Sequence, residues 1–261
     1  MQYYFIGSSL PDLQIGMPPE ISFGDFDTLL KENLSREDYE QTLVIRLYFD
    51  LQNIRAFWKS EEMDKYGNLD ENSIEDALIV RSGLPDYVFD FLEKYESKNE
   101  RLKYFSELSV RYFQEELKDH SEGFLHEFLK FEREWRLVLV GFRAKKLKRD
   151  IINELQFEDP NDEIVAQLIA QKDAKVFEPP TRYSDLKAIF EEYGNQPIEL
   201  HQALVEWRFE KLFTMYGDSV FSLDRILSYL VRLILVEKWM QLDQKKGIEL
   251  IDSQLKQDGV V

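Results

Sequence analysis

The chain has 261 residues, enough for one sizeable domain or for two to three small packed units with a hydrophobic core. It contains no cysteine, which excludes disulfide frameworks, zinc sites built from thiolates and cysteine nucleophiles. The net charge of -17, from 50 acidic and 33 basic side chains, repels phosphate backbones and argues against nucleic-acid binding.

The hydropathy pattern argues against membrane insertion. No stretch of the sequence approaches the roughly 20 uncharged apolar residues that a spanning helix requires. The segment up to Pro11 lacks the basic leader and long apolar region of a secretory signal. We therefore expect a cytosolic protein that is attached to a membrane only through partners.

The first long helix is predicted from Ser35 to Tyr66. Ser35 and Asp38 resemble a capping start, and Gly67 with Asn68 supplies a stop signal. Between them, apolar residues recur at spacings of three and four, which places them on one helical face: Leu43, Leu47, Leu51, Ile54 and Trp58.

Helical periodicity continues through the rest of the chain, and Pro179 with Pro180 marks the clearest linker. The N-terminal segment 2–6 is either a strand or a buried helical turn. The further helices are predicted over 74–95 with a break at Gly83 to Pro85, 101–117 with a break at His120 to Gly123, 124 to about 155, 183–193, 198–216, 223 to about 244, and a short helix after Gly247. The predicted fold class is therefore all-α, built from long helices.

A weak internal repeat accompanies this pattern. Leu108 and Phe113, followed by a helix that contains Glu134, are echoed by Leu204 and Phe209, followed by a helix that contains Glu237. Helical heptads imitate one another by chance, so duplication and coincidence both remain open.

The sequence lacks the common signatures of catalytic and cofactor sites. It has no glycine-rich phosphate loop, no Gly-x-Ser-x-Gly elbow and no His-Glu-x-x-His pair. None of its histidines belongs to the Glu-x-x-His pairs that a di-iron bundle needs. The glycine among the acidic residues at 64–71 has the wrong offset for a calcium loop. We expect no catalytic residue, no metal and no cofactor.

One basic segment stands out on the acidic chain, at the predicted end of a long helix. Positive charge is favoured there by the helix dipole, so the segment needs no ligand to explain it. It is also suited to docking an acidic partner or anionic head groups. Its members are Arg143, Lys145, Lys146, Lys148 and Arg149.

Several segments resemble the C-type subunit of the rotary V-type ATPases, which is the d-type subunit in eukaryotes. Phe49 to Arg55 resembles the family's acidic-x-x-Asn-Leu-(Lys/Arg) helices, and Glu199 to Leu212 resembles its Leu-(Glu/His)-x-Ala-Leu helix. Glu132 to Lys146 is similar to its acidic-then-Arg-Ala-Lys pattern, and Tyr229 to Glu237 is similar to its final repeat. Two positions depart from the family pattern, Trp135 and Val205.

The N-terminal segment adds a second resemblance. Tyr3 to Pro11, with Pro18 to Ser22, resembles an uncharacterised bacterial family encoded beside V-type ATPase genes, at the position where the C-type subunit is expected. This resemblance covers nearly the whole chain, whereas the resemblance to the V-type ATPase family extends over roughly 40–250 discontinuously.

The resemblance implies three similar helical units that form a funnel, over 1–96, 97–178 and 179–261. It implies a non-catalytic central-stalk (rotor) subunit that links the shaft to the membrane proteolipid ring. The chain would then lie on the cytoplasmic face of the inner membrane, held there by the central-shaft subunits and the ring. The candidate interface or repeat-motif residues are Asp50, Asn53, Arg55, Glu134, Arg143, Lys145, Lys146, Lys148, Arg149 and Glu237.

Two other functions remain open at this stage. A free-standing helical adaptor or scaffold shares the fold and composition, and only its partners would distinguish it. A helical hydrolase or lyase that uses carboxylates alone predicts several acidic side chains converging in one deep pocket.

Overall fold

The computed structural model describes residues 3–216 and 220–257, and the side chains of residues 3–216 and 220–242. The described residues form thirteen α-helices and one 3-10 turn, Thr181–Tyr183, without a strand, which confirms the all-α prediction. The helices are α1 Tyr4–Ser9, α2 Phe23–Asn33, α3 Arg36–Lys59, α4 Glu71–Val80, α5 Asp86–Lys94, α6 Lys98–Lys103, α7 Phe105–Asp119, α8 Gly123–Leu147, α9 Ile151–Glu154, α10 Glu163–Ala170, α11 Asp185–Tyr193, α12 Pro197–Met215 and α13 Leu223–Gln257.

The chain divides into two compact units. The first unit comprises Met1–Tyr39 and Gln196–Val261, and the second comprises Glu40–Asn195. These limits differ from those of the three helical units predicted from the sequence. The threefold pseudo-repeat and the funnel stay predictions.

The core of the first unit is built on α13, which packs against α2 and α12. Every residue from Ile226 to Glu237 is buried, so this part of α13 is covered on all its faces. A helix that is apolar all round belongs in a protein interior. One polar group of this stretch, the Ser228 hydroxyl, donates to the Leu212 carbonyl oxygen at 2.9 Å.

The core of the second unit is built on α8, which packs against α7, α9 and α10. Its C-terminal half is fixed by aromatic contacts. Phe142 stacks on Phe190 with ring centroids 4.1 Å apart and meets the edge of Phe177 at 4.8 Å. Close approach of Phe177 to α8 depends on Gly141, because a Cβ there would lie 2.4 Å from the Phe177 ring.

Helix interiors follow the predicted periodicity, but several ends do not. Helix α3 ends at Lys59 rather than Tyr66, and α8 ends at Leu147 rather than near Leu155. Each is followed by a residue in left-handed conformation, Ser60 or Lys148, with φ of 58° and 53°. The predicted break at Gly247 is wrong, since α13 continues to Gln257. Helices α2 and α10 are additional to the prediction, and the N-terminal segment is helical from Tyr4.

A carboxylate on α7 makes the stability of the second unit depend on pH. Burial raises the pKa of Glu116 from 4.5 to about 7, and the neighbouring charges of Asp119 and Glu115 act in the same direction. The folded state therefore binds a proton more readily than the unfolded state between these two values, so stability falls as pH rises through this window.

We expect Glu116→Gln to reduce this loss of stability. The difference in the free energy of unfolding between pH about 5 and about 8 should shrink by about 1 to 3 kcal/mol. Urea unfolding followed by circular dichroism at a series of pH values measures it. Glu75→Gln, which removes an exposed carboxylate from α4, is the control and should leave the slope unchanged. An unchanged slope in Glu116→Gln would contradict the assignment.

Candidate functional site

The Asp50 carboxylate lies inside the second unit and binds the segment that follows α3. This segment, residues 60–69, is called the 60–69 loop. Asp50 is 1% exposed. Its Oδ1 accepts hydrogen bonds from the backbone N–H groups of Asn68 at 2.7 Å and Leu69 at 3.0 Å, and its Oδ2 accepts from Asn68 Nδ2 at 2.8 Å. A buried carboxylate that accepts several hydrogen bonds holds its donors firmly, since each donor replaces lost water.

Two further side chains on the same face of α3 bind the 60–69 loop. Asn53 pairs with the backbone of Asp64 as both acceptor and donor, at 2.7 and 2.8 Å. Arg46 donates to the carbonyl oxygens of Tyr66 at 3.3 Å and Gly67 at 2.6 Å. Residues 46, 50 and 53 are spaced by four and three, which aligns them along one helical face. We call Arg46, Asp50 and Asn53 the loop clasp.

Opposing effects act on the charge of the loop clasp. Burial raises the pKa of the Asp50 carboxyl above its ordinary value, whereas its hydrogen bonds to Leu69 and Asn68 and the positive charge of Arg46 lower it. The clasp therefore depends on close contact between carboxylate and backbone. Gly67 permits this contact, because a Cβ at this position would lie 2.5 Å from Asp50 Oδ1 and 3.0 Å from Asn53 Nδ2.

Glu134 connects α8 to the segment after the two prolines. Its Oε2 accepts a hydrogen bond from the buried Tyr183 hydroxyl at 2.8 Å and pairs with Arg182 Nη1 at 2.8 Å. Tyr183 belongs to the 3-10 turn, which Pro180 precedes. The carboxylate thus anchors the chain where it leaves the proline linker.

Glu237 connects α13 to the beginning of α2 in the first unit. Its Oε1 accepts a hydrogen bond from the backbone N–H of Phe23, the first residue of α2, at 2.7 Å. The first N–H groups of a helix have no partner within that helix and carry partial positive charge, which favours a carboxylate there. Glu237 thus supplements the Ser22 side chain, which accepts from Asp25 N.

The basic segment lies in and just after the last turn of α8, and much of it contacts its own unit. Lys145 Nζ donates to the carbonyl oxygen of Lys172 at 2.7 Å, and Lys146 Nζ donates to that of Gly194. Arg149 lies 3.5 Å from the Glu154 carboxylate, and Lys148 is the left-handed C-cap residue. Arg143 is exposed and makes no hydrogen bond or ion pair with the residues that the structure describes.

The candidate residues form several separate contacts rather than one site. Asp50 and Asn53 act together in the loop clasp, while Glu134 and Glu237 bind other segments of their own units. Arg55 is exposed, with its guanidinium 5.3 Å from the centre of the Phe105 ring.

Sequence reasoning missed several residues of these contacts. Arg46 and Tyr183 are examples, as is Arg133, which pairs with Glu158 at 2.7 Å and Asp162 at 2.8 Å. The position of Arg46, four residues before Asp50 on one face, was a usable signal. No sequence signal predicts the contacts of Tyr183 with Glu134 or of Arg133 with Glu158 and Asp162, because each contact joins segments that are distant in sequence.

Two further properties concern the part of the chain that the structure describes. Its side chains include no group of three or more His, Asp or Glu residues that could hold a metal ion. None of its helices combines the length and apolar character needed to cross a bilayer.

Comparisons with known proteins assign the chain to a family. Residues 1–258 match the model of DUF2764, described as a protein of unknown function. The chain belongs to this family. Uncharacterized proteins of Chlamydia muridarum and Chlamydia trachomatis serovar D are each 32% identical to this DUF2764 chain over 257 residues, which is 96% of both partners. A Chlamydia pneumoniae protein has the same identity and coverage. No solved structure matches.

The loop clasp predicts a strong effect of Gly67→Ala on the stability of this DUF2764 member. The added methyl group must displace Asp50 or the loop, so we expect the free energy of unfolding to fall by about 1 to 3 kcal/mol. Chemical denaturation measures the change. In the control, Gly24→Ala, the nearest described atom to the new Cβ outside its own helix is Ser22 Oγ at 3.9 Å, so a neutral or slightly stabilising effect is expected. Equal effects of both substitutions would refute the clasp.

Proposed function

We propose that this chain is a non-catalytic central-stalk subunit of a V-type ATPase or ATP synthase, in the place of the C-type subunit. It would couple the rotating shaft to the membrane proteolipid ring. It would lie on the cytoplasmic face of the inner membrane, held there by these partners. The proposal starts from the resemblance of the segments around Asp50, Glu134 and Glu237 to that family.

The observation that carries the proposal is the placement of these three acidic residues. Each lies on a long helix, α3, α8 or α13, of 24, 25 and 35 residues. Each is buried, and each binds a segment outside its own helix but within the same one of the two compact units of the structure. Each of the three predicted units, 1–96, 97–178 and 179–261, holds one such helix. This recurrence of a long helix with a buried carboxylate supports the proposal, although the contacts of Glu134 with Tyr183 and of Glu237 with Phe23 each join two different predicted units.

The same contacts suit a part that transmits force. A coupler must deform little under load, and close-packed helices with interdigitated side chains are stiff. Buried carboxylates that bind backbone groups add directional links between a helix and its neighbouring loop, which resist sliding more than apolar contacts do. The loop clasp provides such links within the second unit.

The surface charge suggests how the chain would meet its partners. On a chain with a net charge of -17, the exposed end of α8 is a local positive site. Arg143 has no hydrogen-bond or ion-pair partner among the described residues, so its charge is available for an acidic surface. Charge complementarity of this kind sets orientation and association rate more than affinity.

Affinity purification of the tagged chain from its native cells tests the proposal. We expect V-type ATPase subunits, including a central-shaft subunit, to be recovered with the chain. Recovery without any such subunit would contradict the rotor function. Deletion of the gene should also abolish ATP-driven ion transport, and intact transport would favour a free-standing helical adaptor instead.

A charge reversal tests the basic end of α8 separately. Arg143→Glu should reduce recovery of the rotor subunits by about three- to ten-fold, because rim charges act mainly on association. Lys98→Glu, which reverses an exposed charge at the start of α6, is the matched control and should leave recovery unchanged. Thermal unfolding should show both variants as stable as the parent. Equal recovery with both variants would remove Arg143 from the interface.

A further inference from the structure

The first unit contains an open cavity of about 730 Å³. Its walls come from the segment after α1, the end of α12 and the buried stretch of α13. A volume of this size is typical of sites for small organic molecules, which bury most of a ligand's surface. The candidate residues discussed above do not line it.

The guanidinium of Arg232 lines this cavity and forms no ion pair with a described residue, although the charges of Glu210 and Asp12 raise its pKa from a distance. Arg232 is 9% exposed, and no residue of the described chain forms a hydrogen bond or an ion pair with it. Its guanidinium carbon lies 4.2 Å from the centre of the Phe209 ring and 4.7 Å from that of Phe213. Ring faces compensate a buried cation only in part. Burial accordingly lowers the pKa of Arg232.

A second polar group of the cavity is also unpaired. The hydroxyl of Tyr229, a residue 5% exposed and three positions before Arg232 on α13, has no hydrogen-bond partner among the described groups. Native proteins pair nearly all their buried polar atoms. Tyr229 Oη and Arg232 Nε are enclosed by protein atoms, so only the rest of the Arg232 guanidinium can meet a ligand, and its lack of a partner among the described residues points to an acceptor that enters from outside.

The remaining walls determine what kind of acceptor fits. Leu10, Pro11, Leu13 and Val220 present apolar surface to the cavity. Arg225 also lines it, and its Nη1 donates to the Val220 carbonyl oxygen at 2.9 Å. The flat fork of an arginine matches a carboxylate, which accepts two parallel hydrogen bonds. Asp12 also lines the cavity and raises the pKa of Arg232 from a distance. Its negative charge disfavours ligands with several charges, such as polyphosphates.

We propose that this cavity binds a small organic monocarboxylate with an apolar body. The carboxylate pairs with the Arg232 guanidinium. The apolar body lies against the walls formed by the segment after α1 and by Val220. This site is independent of the proposed rotor function, because it uses none of the contacts on which that function rests.

Octanoate is a suitable probe, and isothermal titration calorimetry on the full chain measures its binding. We expect a dissociation constant below about 1 mM for octanoate, and binding at least about ten-fold weaker for octanamide, which lacks the charge. Acetate, which lacks the apolar body, should bind similarly weakly. Equal binding of octanoate and either analogue, or no heat with octanoate at about 10 mM, would overturn the proposal.

The variant Arg232→Met tests whether Arg232 binds the ligand or only supports the fold. The variant should bind octanoate at least about ten-fold more weakly, yet melt without ligand at the same or a higher temperature, because an unpaired buried charge has been removed. Arg143→Met, which removes the same charge outside the cavity, should bind like the parent. Unchanged octanoate affinity in Arg232→Met would overturn the proposal.

Two milder variants keep the test decisive if Arg232→Met does not fold. Arg232→Lys keeps the charge but loses the fork, and Arg232→Gln keeps hydrogen-bond donors but loses the charge. Each should weaken octanoate binding by about three-fold or more. Parent-like affinity in both variants would overturn the assignment of Arg232 to the carboxylate.

Discussion

A carboxylate that is removed from water must be met by donors, and this constraint organises much of the structure. Leaving a buried charge unpaired costs several kcal/mol. Asp50 avoids this cost only when the backbone of Asn68 and Leu69 lies against α3. Asp50 therefore sets the path of the 60–69 loop together with Arg46 and Asn53, and Gly67 is needed because no other residue leaves room for the contact.

The same contact explains why sequence reasoning found α3 but not its end. Apolar spacing is a local property, and it correctly placed Leu51, Ile54 and Trp58 on the buried face. No breaker occurs before Gly67, so the pattern alone continued the helix to Tyr66. The helix ends at Lys59 because Asn53 and Asp50 bind residues that come after it in sequence. Such contacts between a helix and its own continuation leave no periodic signal.

For the candidate residues, too, the sequence could not predict which groups their side chains bind. The motif around Asp50 and Asn53 can be recognised from sequence, but a motif indicates that residues matter without saying to what. In the structure, Asp50, Asn53, Glu134 and Glu237 bind segments of their own chain. A shared pattern of this kind can thus reflect a shared way of bracing helices. Their connection to the proposed rotor function therefore rests on resemblance and on the rigid packing of the helices that carry them.

Arg232 differs from the other buried charged residues because it forms no ion pair with a described residue, and Arg133 provides a comparison. Arg133 is also largely buried, but its guanidinium meets two carboxylates, Glu158 and Asp162. The chain thus pairs an enclosed arginine where the role is structural. Arg232 stands in an otherwise apolar run of α13, Tyr229 to Val236, a position that periodicity marks as interior and where a methionine would pack without cost in charge. An arginine at this position, with its guanidinium facing a cavity, fits the anion site proposed above better than a purely structural role.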